Sequence, residues 1–351
     1  MAAPSLRGVG ELAARGLVPD ASAAALERVA QRYAVAITPA MAELIDPTDP
    51  ADPIARQFIP DAAELVVAPE ERADPIGDEQ LSPVKGIVHR YPDRVLLKPL
   101  HVCPVYCRFC FRREQVGPEG EALTSAELAE ALDYIRTRPE IWEVIVTGGD
   151  PFVMSPRRLA EIVRALDGIE HVQVIRFHTR LPVVDPERVS ARLVSALDSE
   201  KALYVAIHAN HPRELTPTFR AACRRLATAG IPLLGQTVLL KGVNDDPAVL
   251  ESLFRGLVAA RVKPYYLHHP DLARGTGRFR VDLREGQALV RHLRGRVSGL
   301  CQPSYVLDLP GGHGKVPVGP SYAAPARGTE GWVVEDFQGG RHRYPPANRE
   351  E

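Results

Sequence analysis

Three cysteines fall within eight residues of this chain, spaced Cys103-x-x-x-Cys107-x-x-Cys110. Thiolates at such spacing on one loop can hold three irons of a [4Fe–4S] cluster and leave the fourth iron open to a small molecule. A structural zinc site needs a fourth ligand. His101 is adjacent, and Cys223 or Cys301 could approach from afar, so zinc stays open on spacing alone. A disulfide framework would need spread, paired cysteines, and these five are not arranged that way.

A second group of residues lies at Asp308-Leu-Pro-Gly-Gly-His-Gly-Lys315. It is not a nucleotide P-loop: Leu309 stands where the first glycine belongs, and Val316 follows the lysine instead of Ser or Thr. Two readings remain. One is a glycine-rich turn ending in a surface lysine. The other is a Schiff-base lysine for pyridoxal phosphate, reached over a backbone that glycines allow to approach closely. Between the two groups lies Gly148-Gly149-Asp150, by itself an ordinary turn.

The cysteine spacing, with Tyr106 and Phe109 just before the second and third cysteines, resembles the radical S-adenosylmethionine superfamily. With the lysine loop it resembles the lysine 2,3-aminomutase family within it. The likeness runs from about Asp74 to Pro320. It includes Asp74-Pro-Ile-Gly, the run Pro83 to Arg94, Thr179-Arg180-Leu-Pro-Val-Val and the stretch Gln236 to Asp245. The resemblance implies three cofactors: a [4Fe–4S] cluster on Cys103, Cys107 and Cys110; S-adenosylmethionine near Gly148, Gly149 and Asp150; and pyridoxal phosphate on Lys315 with its phosphate at Arg90. Arg112 matches the position that grips the substrate carboxylate, and Asp271 and Asp308 match the pair that grips a distal ammonium.

The activity implied is movement of an amino group from C2 to C3 of a small-molecule amino acid, L-lysine first. Another basic amino acid, a protein-linked lysine, or a radical enzyme without aminomutation are the alternatives, and a zinc-binding interaction module is the competitor from another class. The branch acting on a lysine of elongation factor P lacks the loop aspartate, so Asp308 speaks against it. An electron donor of flavodoxin or ferredoxin type is implied, and a homo-oligomer is compatible with the family. Two departures stand out. His313 replaces the third glycine of the usual four. No cysteine follows Cys301 and Asp246 stands at the mid-chain cysteine position, so the family's interfacial zinc is not expected.

These residues need a scaffold. From Arg94 onward, β-branched runs alternate with amphipathic runs, the pattern of repeated βα units around a parallel sheet. Strands are expected at 95–100, 143–147, 172–177, 204–208, 232–240, 263–268 and 304–307. The helices between carry start signals: a capping box at Thr124-Ser-Ala-Glu127, and Ser155-Pro156 and Thr216-Pro217 as N-cap plus proline. Polar residues follow each strand, as at the catalytic mouth of a βα barrel. His208-x-x-His211 and His268-His269 are read there as mouth-lining residues, not metal ligands. The fold expected is α/β: a partial (β/α)6 radical S-adenosylmethionine barrel over 91–320, with a helical N-terminal extension over 1–90 and a tail over 321–351.

Lys and Arg total 43 against 44 Asp and Glu, which gives no nucleic-acid or membrane footprint. No run of about 18 apolar residues occurs. A soluble cytoplasmic protein is the expectation.

Overall fold

The computed structural model describes residues 4–326 and 330–346. Nine strands form one sheet in sequence order: β1 (Ile87–Tyr91), β2 (Arg94–Leu100), β3 (Glu143–Gly148), β4 (Val174–Thr179), β5 (Ala202–His208), β6 (Leu233–Val238), β7 (Val262–His268), β8 (Ser304–Leu309) and β9 (Gly314–Pro317). Strands β2 to β8 are all parallel. They are joined by six helical crossovers, giving six βα units and a seventh parallel strand. All seven expected strands are present; β4 begins two residues later than its pattern suggested, and β6 is shorter at both ends.

The crossover helices start where the sequence signals them. Thr124 and Glu127 complete their capping box, and the helix Ser125–Arg136 buries Leu128, Leu132 and Ile135. Ser155 and Thr216 accept from the backbone N–H of Arg158 and Phe219. Leu159, Ile162, Val163 and Leu166 face the sheet with no exposed surface. Burying such a four-residue stripe contributes about 1.5–3 kcal/mol per side chain.

Two edge strands go beyond the sequence expectation. β1 pairs antiparallel with β2, and β9 antiparallel with β8. The second pairing has a local cause. Gly311, Gly312 and Gly314 take φ of +84°, +85° and +88°, left-handed values that turn the chain back on itself. Lys315 thereby lies directly across from Asp308. Beyond the barrel, β10 (Ala323–Pro325), β11 (Trp332–Glu335) and β12 (Arg341–Tyr344) form a small antiparallel sheet. No helix of the described residues is long and apolar enough to cross a membrane.

Residues before β1 form short helices, among them Ala23–Arg32 and Pro53–Phe58. They pack on the cysteine loop that follows β2. Glu64, fully buried, pairs with Arg108 and Arg113 on either side of Cys110. Burial opposes the charge on Glu64, but Arg108, Arg113 and Arg278 outweigh it and hold the carboxyl below its usual range. Glu64→Gln would leave two buried guanidinium groups short of a counter-charge. Loss of one partner of a buried pair costs about 3–5 kcal/mol. A drop of that size in denaturant-unfolding free energy is expected; a change below about 1 kcal/mol, within reach of exposed pairs, contradicts it.

Candidate active site

A cavity of about 390 Å³ runs along the inner face of the barrel, from Arg94 and Glu143 at strand starts to His208 and His268 at strand ends. Strand after strand contributes to its wall: Thr147 from β3, His178 from β4, His208 from β5, Gln236 from β6 and His268 from β7. The lysine loop closes one side, and a continuous chain of ion pairs crosses it. Lys315 Nζ lies 2.5 Å from Asp308 Oδ2. Arg90 Nη1 donates to Asp308 Oδ1 at 2.9 Å, and its Nη2 donates to Asp78 Oδ1 at 3.0 Å and Ile76 O at 2.7 Å. Arg112 donates to Asp78 Oδ2 from Nε at 3.0 Å and Nη2 at 2.7 Å. The Lys315 backbone N–H is fixed by the Tyr91 hydroxyl at 2.7 Å.

Arg90, Arg112, Asp271, Asp308 and Lys315, distant in sequence, thus line one cavity. Arg112 is two residues past Cys110, so the cysteine loop borders the same space as the lysine. Asp271 is displaced far from its ordinary state. Burial, then the nearby Asp308 charge, push its pKa up to about 7. The histidines are held neutral: burial pushes His208 down to about 4 and drives His178 and His268 well below the usual range.

The residues present fit a pyridine-aldehyde phosphate. Lys315 is the lysine of the cavity wall among the described residues, and Arg90 Nε is buried without a partner, a donor suited to an anion. They also fit an iron–sulfur cluster. Cys103, Cys107 and Cys110 are half-buried free thiols, and Cys103 and Cys110 pack beside Ala36, Tyr106 and Val116. Burial raises Cys103 well above its usual range and Cys110 to about 11, so a bare thiolate there needs a compensating proton or metal. Among the described residues no three His, Cys, Asp or Glu side chains converge as single-ion ligands. Cys223 and Cys301 are buried in the core, away from this loop. Three thiols on one loop are the donor type that an iron–sulfur cluster takes.

Gly148 and Gly149 are glycines for a steric reason. A Cβ on Gly148 would lie 2.6 Å from Leu100 O, and one on Gly149 2.3 Å from Val102 O. The end of β3 runs against the segment leading to Cys103, and Gly149 N donates to Leu100 O at 2.8 Å. Asp150 braces the same turn through its side chain. Its buried carboxylate accepts from Phe152 N, Thr179 Oγ1 and Arg180 N, which ties β3 to β4. His211 Nδ1 accepts from Arg213 N and His269 Nδ1 meets the Tyr305 hydroxyl at 2.7 Å. Asp78 and Tyr91 escaped the sequence reading. Tyr91 sits inside a stretch quoted for its resemblance and Asp78 one residue past another, but no spacing rule announces a counter-ion.

Comparisons with known proteins agree with this geometry. The family model "Radical SAM superfamily" matches residues 97–252, and "Lysine-2,3-aminomutase" matches residues 290–350. The L-lysine 2,3-aminomutase of Clostridium subterminale is 41% identical over 87% of this chain and 73% of its own length. A putative L-lysine 2,3-aminomutase of Aquifex aeolicus is 42% identical over 90% and 85%. The glutamate 2,3-aminomutase of Clostridioides difficile is 37% identical over 90% and 74%. Both ends of the barrel, the cysteine loop and the lysine loop, fall inside these matches, and the chain belongs to the lysine 2,3-aminomutase family of radical S-adenosylmethionine enzymes.

Proposed function

We propose that this isomerase moves the amino group of a basic amino acid from C2 to C3, with L-lysine as the first substrate. One observation carries the substrate class: two carboxylates, Asp271 and Asp308, share the cavity with Lys315. Cys103, Cys107 and Cys110 would hold the [4Fe–4S] cluster, the backbone at Gly148 and Gly149 the methionine end of S-adenosylmethionine, and Lys315 with Arg90 the pyridoxal phosphate. When bound, these groups supply one-electron chemistry and an electron sink for the migrating nitrogen.

The protein's own residues set the geometry. Arg112, fixed through two N–H groups on Asp78, presents its remaining donor face to the substrate carboxylate. Asp308, paired with Lys315 through Oδ2 and with Arg90 through Oδ1, would share its charge with a substrate ammonium. Asp271 adds the second negative charge. The neutral histidines contribute polar wall without repelling that ammonium. A glutamate side chain would instead bring a third carboxylate against this pair, a like-charge contact that disfavours it.

The test is incubation of reduced, iron-reconstituted protein with S-adenosylmethionine, pyridoxal phosphate and single amino acids. β-Lysine from L-lysine is expected. Formation of β-glutamate alone overturns the substrate class. Asp271 adds a pH signature. Its pKa of about 7 means that it is protonated below that pH and charged above it. Attraction for the ammonium is therefore present above pH 7 and lost as pH falls. The kcat/KM for lysine should decline below pH 7 towards a floor about tenfold lower. Asp271→Asn should flatten that limb and raise KM by about tenfold, the loss of one charge-assisted hydrogen bond. An unchanged pH profile in Asp271→Asn removes Asp271 from substrate binding.

A further inference from the structure

Arg180, at the end of β4, is the hub of a second buried polar cluster. Its Nη1 donates to Cys107 Sγ at 2.8 Å. Its Nη2 donates to Gln57 Oε1 at 2.7 Å and to Glu214 Oε2 at 3.1 Å. Glu214 is fully buried and also accepts from Gln57 Nε2 at 2.7 Å. Asn210 Nδ2 donates to Gln57 Oε1 at 3.0 Å. The guanidinium lies 4.7 Å from the Phe58 ring centroid and 5.4 Å from that of Phe109. Four parts of the chain therefore hold it in place: the N-terminal helix Pro53–Phe58, the cysteine loop, and the ends of β4 and β5. Burial opposes its charge, but Cys107 and Glu214 outweigh it, so the group stays cationic.

A guanidinium whose task was to neutralise Glu214 would present two N–H groups to that carboxylate. This one gives a single N–H to Glu214 and aims the other end at sulfur. The three cysteines are not equivalent in this respect. Cys103 and Cys110 face backbone N–H groups of Asp150 and Arg112. Among the described residues Cys107 alone receives a side-chain donor, and that donor carries a full positive charge.

We propose that Arg180 sets the reduction potential of the cluster by donating an N–H to the Cys107 sulfur, an inference that rests on the ligand assignment made above. One electron from an external one-electron donor adds one negative charge to the cluster and its thiolates. A cationic donor at a ligand sulfur stabilises that reduced form more than the oxidised form. The buried, low-dielectric setting strengthens the effect. Among the described residues Arg180 is not one that lines the cavity, so it is a positioning and tuning residue, not a catalytic one. Gln57 extends the device to the N-terminal segment, because that segment orients the guanidinium.

The experiment is a redox titration of the reconstituted full-length protein, followed by electron paramagnetic resonance without S-adenosylmethionine. Arg180→Gln combined with Glu214→Gln removes the cation without stranding a buried carboxylate. The expected result is unchanged iron and sulfide content and a midpoint shifted negative, with reduction about tenfold less favourable, ~59 mV for a one-electron couple. Arg180→Lys is expected to shift the same way by less, since its single ammonium pairs with Glu214 and leaves Cys107 without its donor. An unchanged midpoint in a variant that carries the full cluster overturns the proposal. Should the double variant fail to assemble a cluster, an unchanged midpoint in Arg180→Lys overturns it equally. Failure of the unsubstituted protein to bind four irons strikes the ligand assignment instead.

Discussion

Lys315→Ala is expected to lose the Schiff-base absorbance that the parent protein shows with pyridoxal phosphate, and to lower turnover by at least about 10³-fold. No other lysine among the described residues lines the cavity, so no second amine can take the cofactor. The register argues for the same outcome. Lys315 faces Asp308 across the β8–β9 ladder, and the Tyr91 hydroxyl fixes its backbone. The fold should survive the change. The side chain is about a third exposed, and Asp308 keeps its partner Arg90. Unchanged thermal unfolding beside lost absorbance would separate cofactor attachment from folding. Retention of the absorbance band in Lys315→Ala would place the Schiff base elsewhere and defeat the assignment.

Asp78→Asn should be the next most damaging single change, lowering kcat/KM by about 10²-fold. Asp78 is almost fully buried and accepts from both Arg90 and Arg112. Burial opposes its charge, yet Arg112, Lys98 and Arg90 hold the carboxyl below its usual range. One carboxylate therefore orients the two guanidinium groups assigned to the cofactor phosphate and the substrate carboxylate. An amide would turn an N–H toward one of them. Misplacement of a positioning group by about 1 Å costs about 10²-fold in rate. Both the apparent affinity for pyridoxal phosphate and the KM for lysine should worsen together. A change in one alone would show that Asp78 serves only one arginine. Unaltered kinetics would remove it from the site.

The chemistry-bearing residues were legible in the sequence because their function demands local spacing. Cys103, Cys107 and Cys110 must reach one inorganic group from one loop. Gly311, Gly312 and Gly314 must reverse the chain over a few residues, and each takes a positive φ. The strands and their helices were legible for a related reason. Their burial repeats with the period of the element, so Leu159, Ile162, Val163 and Leu166 declare one face. The small sheet beyond residue 322 left no such trace. Its strands are three or four residues long and largely exposed, too short for a period to show.

The sequence by itself determined the proposed donor set, the proposed amine for the cofactor and the order of strands that carry them. Only the tertiary structure decided how their charges are balanced. Asp78 gathers Arg90 and Arg112, Glu64 gathers Arg108 and Arg113, and Arg180 meets Cys107. It also set the Asp150 carboxylate into the β3–β4 join. The physical reason is range. A thiolate triplet or a glycine turn is a property of neighbours in the chain, whereas a buried charge must find its counter-charge wherever packing brings one, and no spacing in the sequence records that meeting.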